Sequence, residues 1–151
     1  MNRILFVCHG NICRSPMAEF IMKELVSQKE LEDCFYIESA ATSCEELGNP
    51  VYPPVKRVLA ARGIDCSSKR ARRVTAKDYD DFDYIVCMDN NNLRNLSYLL
   101  PKDQSGKVSK LLSFTGSSRD VADPWYTGDF AATEHDVVCG CSALLQHILN
   151  K

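Results

Sequence analysis

The segment Cys8-His9-Gly10-Asn11-Ile12-Cys13-Arg14-Ser15 constrains what this chain can fold into more than any other. The apolar run Ile4-Leu5-Phe6-Val7 precedes it, and Pro16 and a helical pattern follow. Residues 3–7 read as a buried strand and residues 16–28 as a helix with Met17, Ile21 and Leu25 on one stripe. A strand therefore feeds a tight loop that ends at a helix N-terminus. Such a loop binds phosphate-like anions, because free backbone N–H groups and the positive end of the helix dipole meet at one spot.

The residue types add reactivity. Cys8 opens the loop, and the N–H groups that attract phosphate also stabilise a thiolate, the nucleophilic form of cysteine. Arg14 closes it with a planar fork that can hold two phosphoryl oxygens. Gly10 is expected where the backbone turns and a Cβ would clash, and Asn11 tolerates a left-handed backbone. Ser15 either caps the helix or donates to the Cys8 sulfur, and Pro16 suits a first helical position. His9, Ile12 and Cys13 complete the expected phosphate-binding segment.

Downstream the pattern alternates. Tyr36 to Ala40, Tyr84 to Met88 and Lys107 to Leu111 read as further strands, the last one weak. Pro54 to Arg62 reads as a helix stopped by Gly63, and Thr75 to Asp78 as a short capped turn. Asp89 is placed to cap a helix carrying Leu93 and Leu96, and Thr133 a last helix carrying Val137, Val138, Cys141, Leu144, Leu145 and Ile148. The expected fold is α/β: a four-stranded parallel sheet with helices on both faces and the phosphate-binding loop after strand 1. Ligands then bind at the carboxyl ends of the strands, where Cys8 lies.

With 151 residues and no linker, repeat or low-complexity stretch, residues 1–151 are expected to form one domain. A net charge of -2 gives no electrostatic reason to expect nucleic acid. No stretch is long and apolar enough for a membrane span, and the N-terminus lacks a signal-peptide pattern. Eight cysteines in that setting read as reduced thiols of a cytoplasmic protein.

A second chemical element is Asp123-Pro124-Trp125-Tyr126. Expelling a phenol oxygen (pKa of about 10) from phosphorus calls for a proton donor. Asp123 is a candidate, with Pro124 stiffening its loop and Trp125 and Tyr126 forming a wall for a flat ring. Asp-Pro is also a common turn start, and Asp120 and Asp129 are loop acids too, so these residues alone leave the donor open.

The run Val7 to Glu19 resembles the signature of the low-molecular-weight protein tyrosine phosphatases. Ser39-Ala40-Ala41-Thr42-Ser43, Gly63-Ile64, Ala71-Arg72, the run Phe82 to Asp89, and Asp123-Pro124-Trp125-Tyr126 match that family in the same order. The resemblance implies Cys8 as nucleophile through a phosphocysteine, Arg14 and residues 9–15 as the phosphate cradle, and Asp123 as the acid. It implies phosphotyrosine proteins and aryl phosphates as substrates, inorganic phosphate as product, and neither metal nor cofactor. It also implies a reversible disulfide between Cys13 and an oxidised Cys8, and a role for Ser39 in holding Asn11. Two positions depart from the family. Lys69 stands where many members have a histidine supporting the loop asparagine, and Cys44-Glu45-Glu46 replaces a segment that often carries a tryptophan. Glu45 would then join Trp125 and Tyr126 on the substrate rim.

Three other readings are weaker. Protein arginine phosphatases on this fold tend to carry a threonine where Ile12 stands. Arsenate reductases need a pair of shuttle cysteines after the third strand, where Cys87 is alone. A non-catalytic phosphate-binding module would not need Cys8, Arg14 and Asp123 together. His135, Cys139 and Cys141 are not read as a metal site, since positions 139 and 141 lie about 200° apart on a helix. His147 receives no role, and the basic run Lys69 to Arg73 reads as a solvated surface.

Overall fold

The computed structural model describes residues Met1–Lys151. Four strands, β1 (Asn2–Cys8), β2 (Phe35–Ala41), β3 (Tyr84–Cys87) and β4 (Val108–Lys110), form one sheet in the order β2-β1-β3-β4. Every pairing is parallel, with Phe6 opposite Ser39 on one side and Val86 on the other. The helices are α1 (Arg14–Gln28), α2 (Pro53–Ala61), α3 (Asp78–Asp81), α4 (Asn90–Leu99), α5 (Pro124–Thr127) and α6 (Phe130–Leu149).

The unbroken apolar run in β1 reflects cover on both faces of the sheet. Ile4, Phe6 and Cys8 point to the side packed by Met17, Ile21, Val137 and Leu144 of α1 and α6. Leu5 and Val7 point to the opposite side, against Phe82, Leu96 and Leu100. Cys8 is thus the last residue of a buried row, and its register with Ala41 brings the ends of β1 and β2 level. The loops after β1, β2 and β3 leave the sheet at this common edge.

Local boundaries differ from the sequence reading in instructive ways. Helix α1 begins at Arg14, so Pro16 is its third residue and Ser15 lies inside the first turn. Ser15 makes no cap, and its hydroxyl turns to the Cys8 sulfur instead. The left-handed residue of the loop is Asn11, at φ 60°, and not Gly10. A Cβ on Gly10 would only touch Glu46 Cγ at 3.4 Å, so the expected clash there is absent. Thr133 does not cap the last helix either. That helix starts a turn earlier, where Asp129 accepts from the Ala132 N–H, and Thr133 bonds to the carbonyls of Ala122 and Asp129. Helix α2 runs one residue ahead of expectation at each end, and Gly63 follows it at φ 77°. Asp89 does cap α4, in a reciprocal box with Asn92.

Helices α1 and α6 cover one face, and α6 also packs on the turn Leu111–Thr115. At that contact Gly140 lies under Leu111, where a Cβ would fall 2.4 Å from Leu111 Cγ. Gly140→Ala gains helix propensity of about 1 kcal/mol, but overpacking a dense core costs about 1–3 kcal/mol. The melting temperature should therefore fall by a few degrees on thermal denaturation; an unchanged or higher value would show that Leu111 has room to move.

Candidate active site

The cleft at the carboxyl edge of the sheet is lined by Cys8, His9, Gly10, Ile12, Cys13, Arg14, Glu45, Glu46, Asp123, Trp125 and Tyr126. Asn11 and Ser15 are buried beneath it. Residues 8–15 therefore come together here, with Asn11 and Ser15 beneath the cleft and the others lining it. The loop hangs from its neighbours by its carbonyls. Cys8 O accepts from Thr42 N–H at 3.0 Å, His9 O from Ser43 N–H at 3.0 Å, and Ile12 O from Tyr52 N–H at 2.9 Å. The N–H groups of His9, Gly10, Asn11, Ile12 and Cys13 donate to no acceptor in the chain. A loop with tethered carbonyls and free N–H groups is an anion site.

The Cys8 sulfur lies 3.0 Å from Ser15 Oγ and 3.4 Å from Ser15 N. Asn11 bridges the loop to the sheet. Its amide NH2 donates to Ser15 Oγ at 2.8 Å and to Ser39 Oγ at 2.9 Å, and its oxygen accepts from Arg72 N–H at 3.1 Å. These bonds explain why an asparagine holds the strained position: the side chain satisfies three partners at once.

Arg14 is almost wholly buried. Its Nη1 donates to Asp89 Oδ2 and to the Val121 carbonyl, both at 2.8 Å, and Nη2 approaches Asp123 Oδ2 at 3.5 Å. With Nη1 committed, Nε and Nη2 remain as the edge for two phosphoryl oxygens. Burial works against its charge, but the negative Cys8 and the hydrogen bond and charge of Asp89 outweigh burial and raise its pKa. It stays cationic throughout.

Of the three loop acids, only Asp123 lines the cleft. Asp120 pairs with Lys110 at 2.8 Å, and Asp129 caps α6. Asp123 caps α5, its Oδ1 accepting from Trp125 N–H at 3.0 Å, which leaves Oδ2 on the Arg14 side. Trp125 is half-exposed and packs on Tyr52, ring centroids 4.9 Å apart; Tyr126 stands free in solvent. Opposite this aromatic wall, Glu45 pairs with His9 Nε2 at 2.9 Å, and Glu46 accepts from Asn49 at 2.6 Å. Cys13 is buried at the cleft, and burial first, then the charge of Cys8, pushes its thiol up to about 12.

Several partners were not legible beforehand. Asp89 appeared only as a helix cap, and nothing near Val121 or Arg72 signals their backbone contacts to the loop. The basic run is not uniformly solvated: Lys69 turns inward, Arg72 pairs with Asp78 at 3.0 Å, and Arg70 and Arg73 are exposed. Cys87 is buried beside Asp89, its thiol pushed up to about 12 chiefly by burial. His135 and Cys139 approach each other on the outer face of α6, whereas Cys141 is buried against Ala18. No helix is long and apolar enough to cross a membrane.

Comparison with known proteins agrees with this geometry. Residues 3–151 match the family model of the low molecular weight phosphotyrosine protein phosphatases. The low molecular weight protein-tyrosine-phosphatase YfkJ of Bacillus subtilis is 39% identical over 150 residues, covering 98% of this chain and 96% of its own. Its crystal structure superposes with a TM-score of 0.94 at 38% identity, over 99% of this chain and 96% of that one. The low molecular weight phosphotyrosine protein phosphatase of Gallus gallus is 38% identical, covering 95% and 93%. A crystal structure named as a Drosophila arginine phosphatase superposes at 0.87 with 33% identity, over 98% of each chain. With a cysteine and an arginine on one anion-binding loop and an acid across the cleft, this chain belongs to the low molecular weight phosphotyrosine protein phosphatases.

Proposed function

We propose that this protein hydrolyses phosphotyrosine in protein substrates, with Cys8 as nucleophile, Arg14 and the loop amides of residues 9–15 as the phosphate clamp, and Asp123 as proton donor. The observation that carries the reading is the pairing of Cys8 with a buried, immobilised Arg14 and a cleft-facing Asp123. The Cys8 sulfur attacks phosphorus in line, so the S–P bond forms as the P–O bond to the phenol breaks. Asp123 gives its proton to the departing oxygen. Water then attacks the phosphocysteine and passes a proton to Asp123. Inorganic phosphate leaves, and the Cys8 thiolate is received by the Ser15 hydroxyl and N–H. Besides water, each step uses only side chains and backbone N–H groups of this chain.

The walls favour an aromatic substrate. Ile12 is apolar, and Trp125 is held by Tyr52 so that a phenyl ring can pack beside it. The same fold carries an enzyme named as an arginine phosphatase, and Glu45 and Glu46 at the mouth suit a guanidinium group. Parallel assays on a phosphotyrosine and a phosphoarginine peptide decide the matter. Phosphotyrosine should be turned over at least about tenfold faster, the scale on which one mismatched apolar contact discriminates. The reverse order would assign the acidic rim to a guanidinium and overturn the proposal. Cys13 has the complementary role of resolving partner: after peroxide oxidises Cys8 to a sulfenic acid, the Cys13 sulfur forms a disulfide and water leaves.

A further inference from the structure

We infer that His135 and Cys139, on the outer face of α6, form a chelating pair for a thiophilic divalent cation such as Zn²⁺. The pair lies outside the cleft and does not depend on the proposed activity.

Helix α6 carries both residues, and side chains four positions apart lie one above the other on a helix face. His135 and Cys139 are exposed, and the Cys139 sulfur lies 3.7 Å from His135 Nε2. A tetrahedral ion with a metal–sulfur bond of about 2.3 Å and a metal–nitrogen bond of about 2.0 Å holds its two donors about 3.5 Å apart. The pair already has the bite of such an ion, and both donors stand on a regular helix. Cys141, by contrast, turns into the core and meets the Ala18 carbonyl.

The donors select the cation. A thiolate and an imidazole suit Zn²⁺ or Cd²⁺, whereas Mg²⁺ and Ca²⁺ require oxygen. The neighbouring carboxylates are engaged elsewhere: Asp136 gives both oxygens to Arg119, at 2.8 and 2.9 Å, and Glu134 pairs with Arg62 at 2.7 Å. Water completes the coordination sphere. Arg119 also lies near the sulfur. Its pKa is raised chiefly by the hydrogen bond and charge of Asp136, and the charge of Cys139 adds to the rise. A guanidinium beside the sulfur favours the thiolate that a metal needs, while Asp136 offsets its repulsion of the ion. Binding replaces the thiol proton by a metal–sulfur bond, so one proton is released and the imidazole binds in its neutral form.

No other thiol has this setting. Burial pushes Cys13 and Cys87 up to about 12 and Cys141 upward as well. Cys34 and Cys44 are exposed, but the two remaining histidines are engaged elsewhere, His9 by Glu45 and His147 against Phe114.

Titration with Cd²⁺, followed by its ultraviolet thiolate-to-metal charge-transfer band, tests the pair. A Cys8→Ser background removes the cleft thiol from the signal. Cys139→Ser should abolish the band that saturates first. His135→Ala should weaken that binding at least about tenfold, since even an outer partner of a metal site is worth that much. Cys34→Ser and Cys44→Ser should leave it unchanged. Cys139→His places two imidazoles one turn apart, so it should lose the band yet still take Zn²⁺ from a chromogenic chelator. All these positions are on the surface, and far-ultraviolet circular dichroism checks that each variant is folded. Equal Cd²⁺ affinity with and without His135 would reduce Cys139 to an ordinary surface thiol and overturn the inference. A first-saturating band that survives Cys139→Ser would overturn it as well.

Discussion

Cys8→Ser will abolish turnover of aryl phosphates, lowering kcat by at least roughly 10⁴-fold, while the protein still binds phosphate. The two halves of this expectation have separate causes. A serine hydroxyl at the end of β1 is not ionised at neutral pH, and the side chain hydrogen-bonded at that position is the Ser15 hydroxyl at 3.0 Å, which is no base, while His9 is turned to Glu45. The anion site, by contrast, is made of backbone N–H groups and of Arg14, and Arg14 is held by Asp89 and the Val121 carbonyl without help from the sulfur. Serine is also close to isosteric at this buried position, so the fold should survive. Isothermal titration with phosphate, beside a rate assay, separates the effects. Substantial turnover by the variant would remove Cys8 from its proposed role.

The second large effect is expected for Asp123→Ala, and its size should depend on the leaving group. For phenyl phosphate, whose phenol has a pKa of about 10, loss of the proton donor should cost roughly 10²–10³ in kcat/KM. For a phenol made acidic by nitro groups the oxygen departs without a proton, and the cost should fall below about tenfold. The ratio kcat/KM is the correct readout because it stops at formation of the phosphocysteine, before Asp123 acts again on water. Equal losses across a series of phenols would assign Asp123 a purely electrostatic or structural part beside Arg14, which lies 3.5 Å away.

The divide between what could be read beforehand and what could not follows the range of the forces involved. The strand–loop–helix around Cys8 was legible because its signals are local: an apolar run, a short loop with Asn11, and a helical stripe. The strand order was not, although four parallel strands were. Errors fell at boundaries where a short element intervenes. Helix α5 is a single turn ended by Gly128 at φ 71°, and Asp129 immediately starts the next helix; no periodicity spans so few residues, so Thr133 looked like the first good cap. The support of Arg14 was hidden for another reason. Asp89 lies 75 positions away and Val121 107, and the contacts exist only because β3 lies beside β1 and the chain returns past it. Lys69 shows the same limit: within a basic run nothing marks which side chain turns inward.

The long reach of Arg14 has a consequence for biosynthesis. Cys8 and Arg14 leave the ribosome well ahead of Val121 and Asp123, so the guanidinium acquires its full set of partners only when those residues have emerged, and α1 is covered only when α6 has followed. A growing chain therefore carries an exposed thiol without a phosphatase. Truncated products that end before α5 should be inert toward phosphoproteins, and the activity arrives only once α5 and α6 have been made.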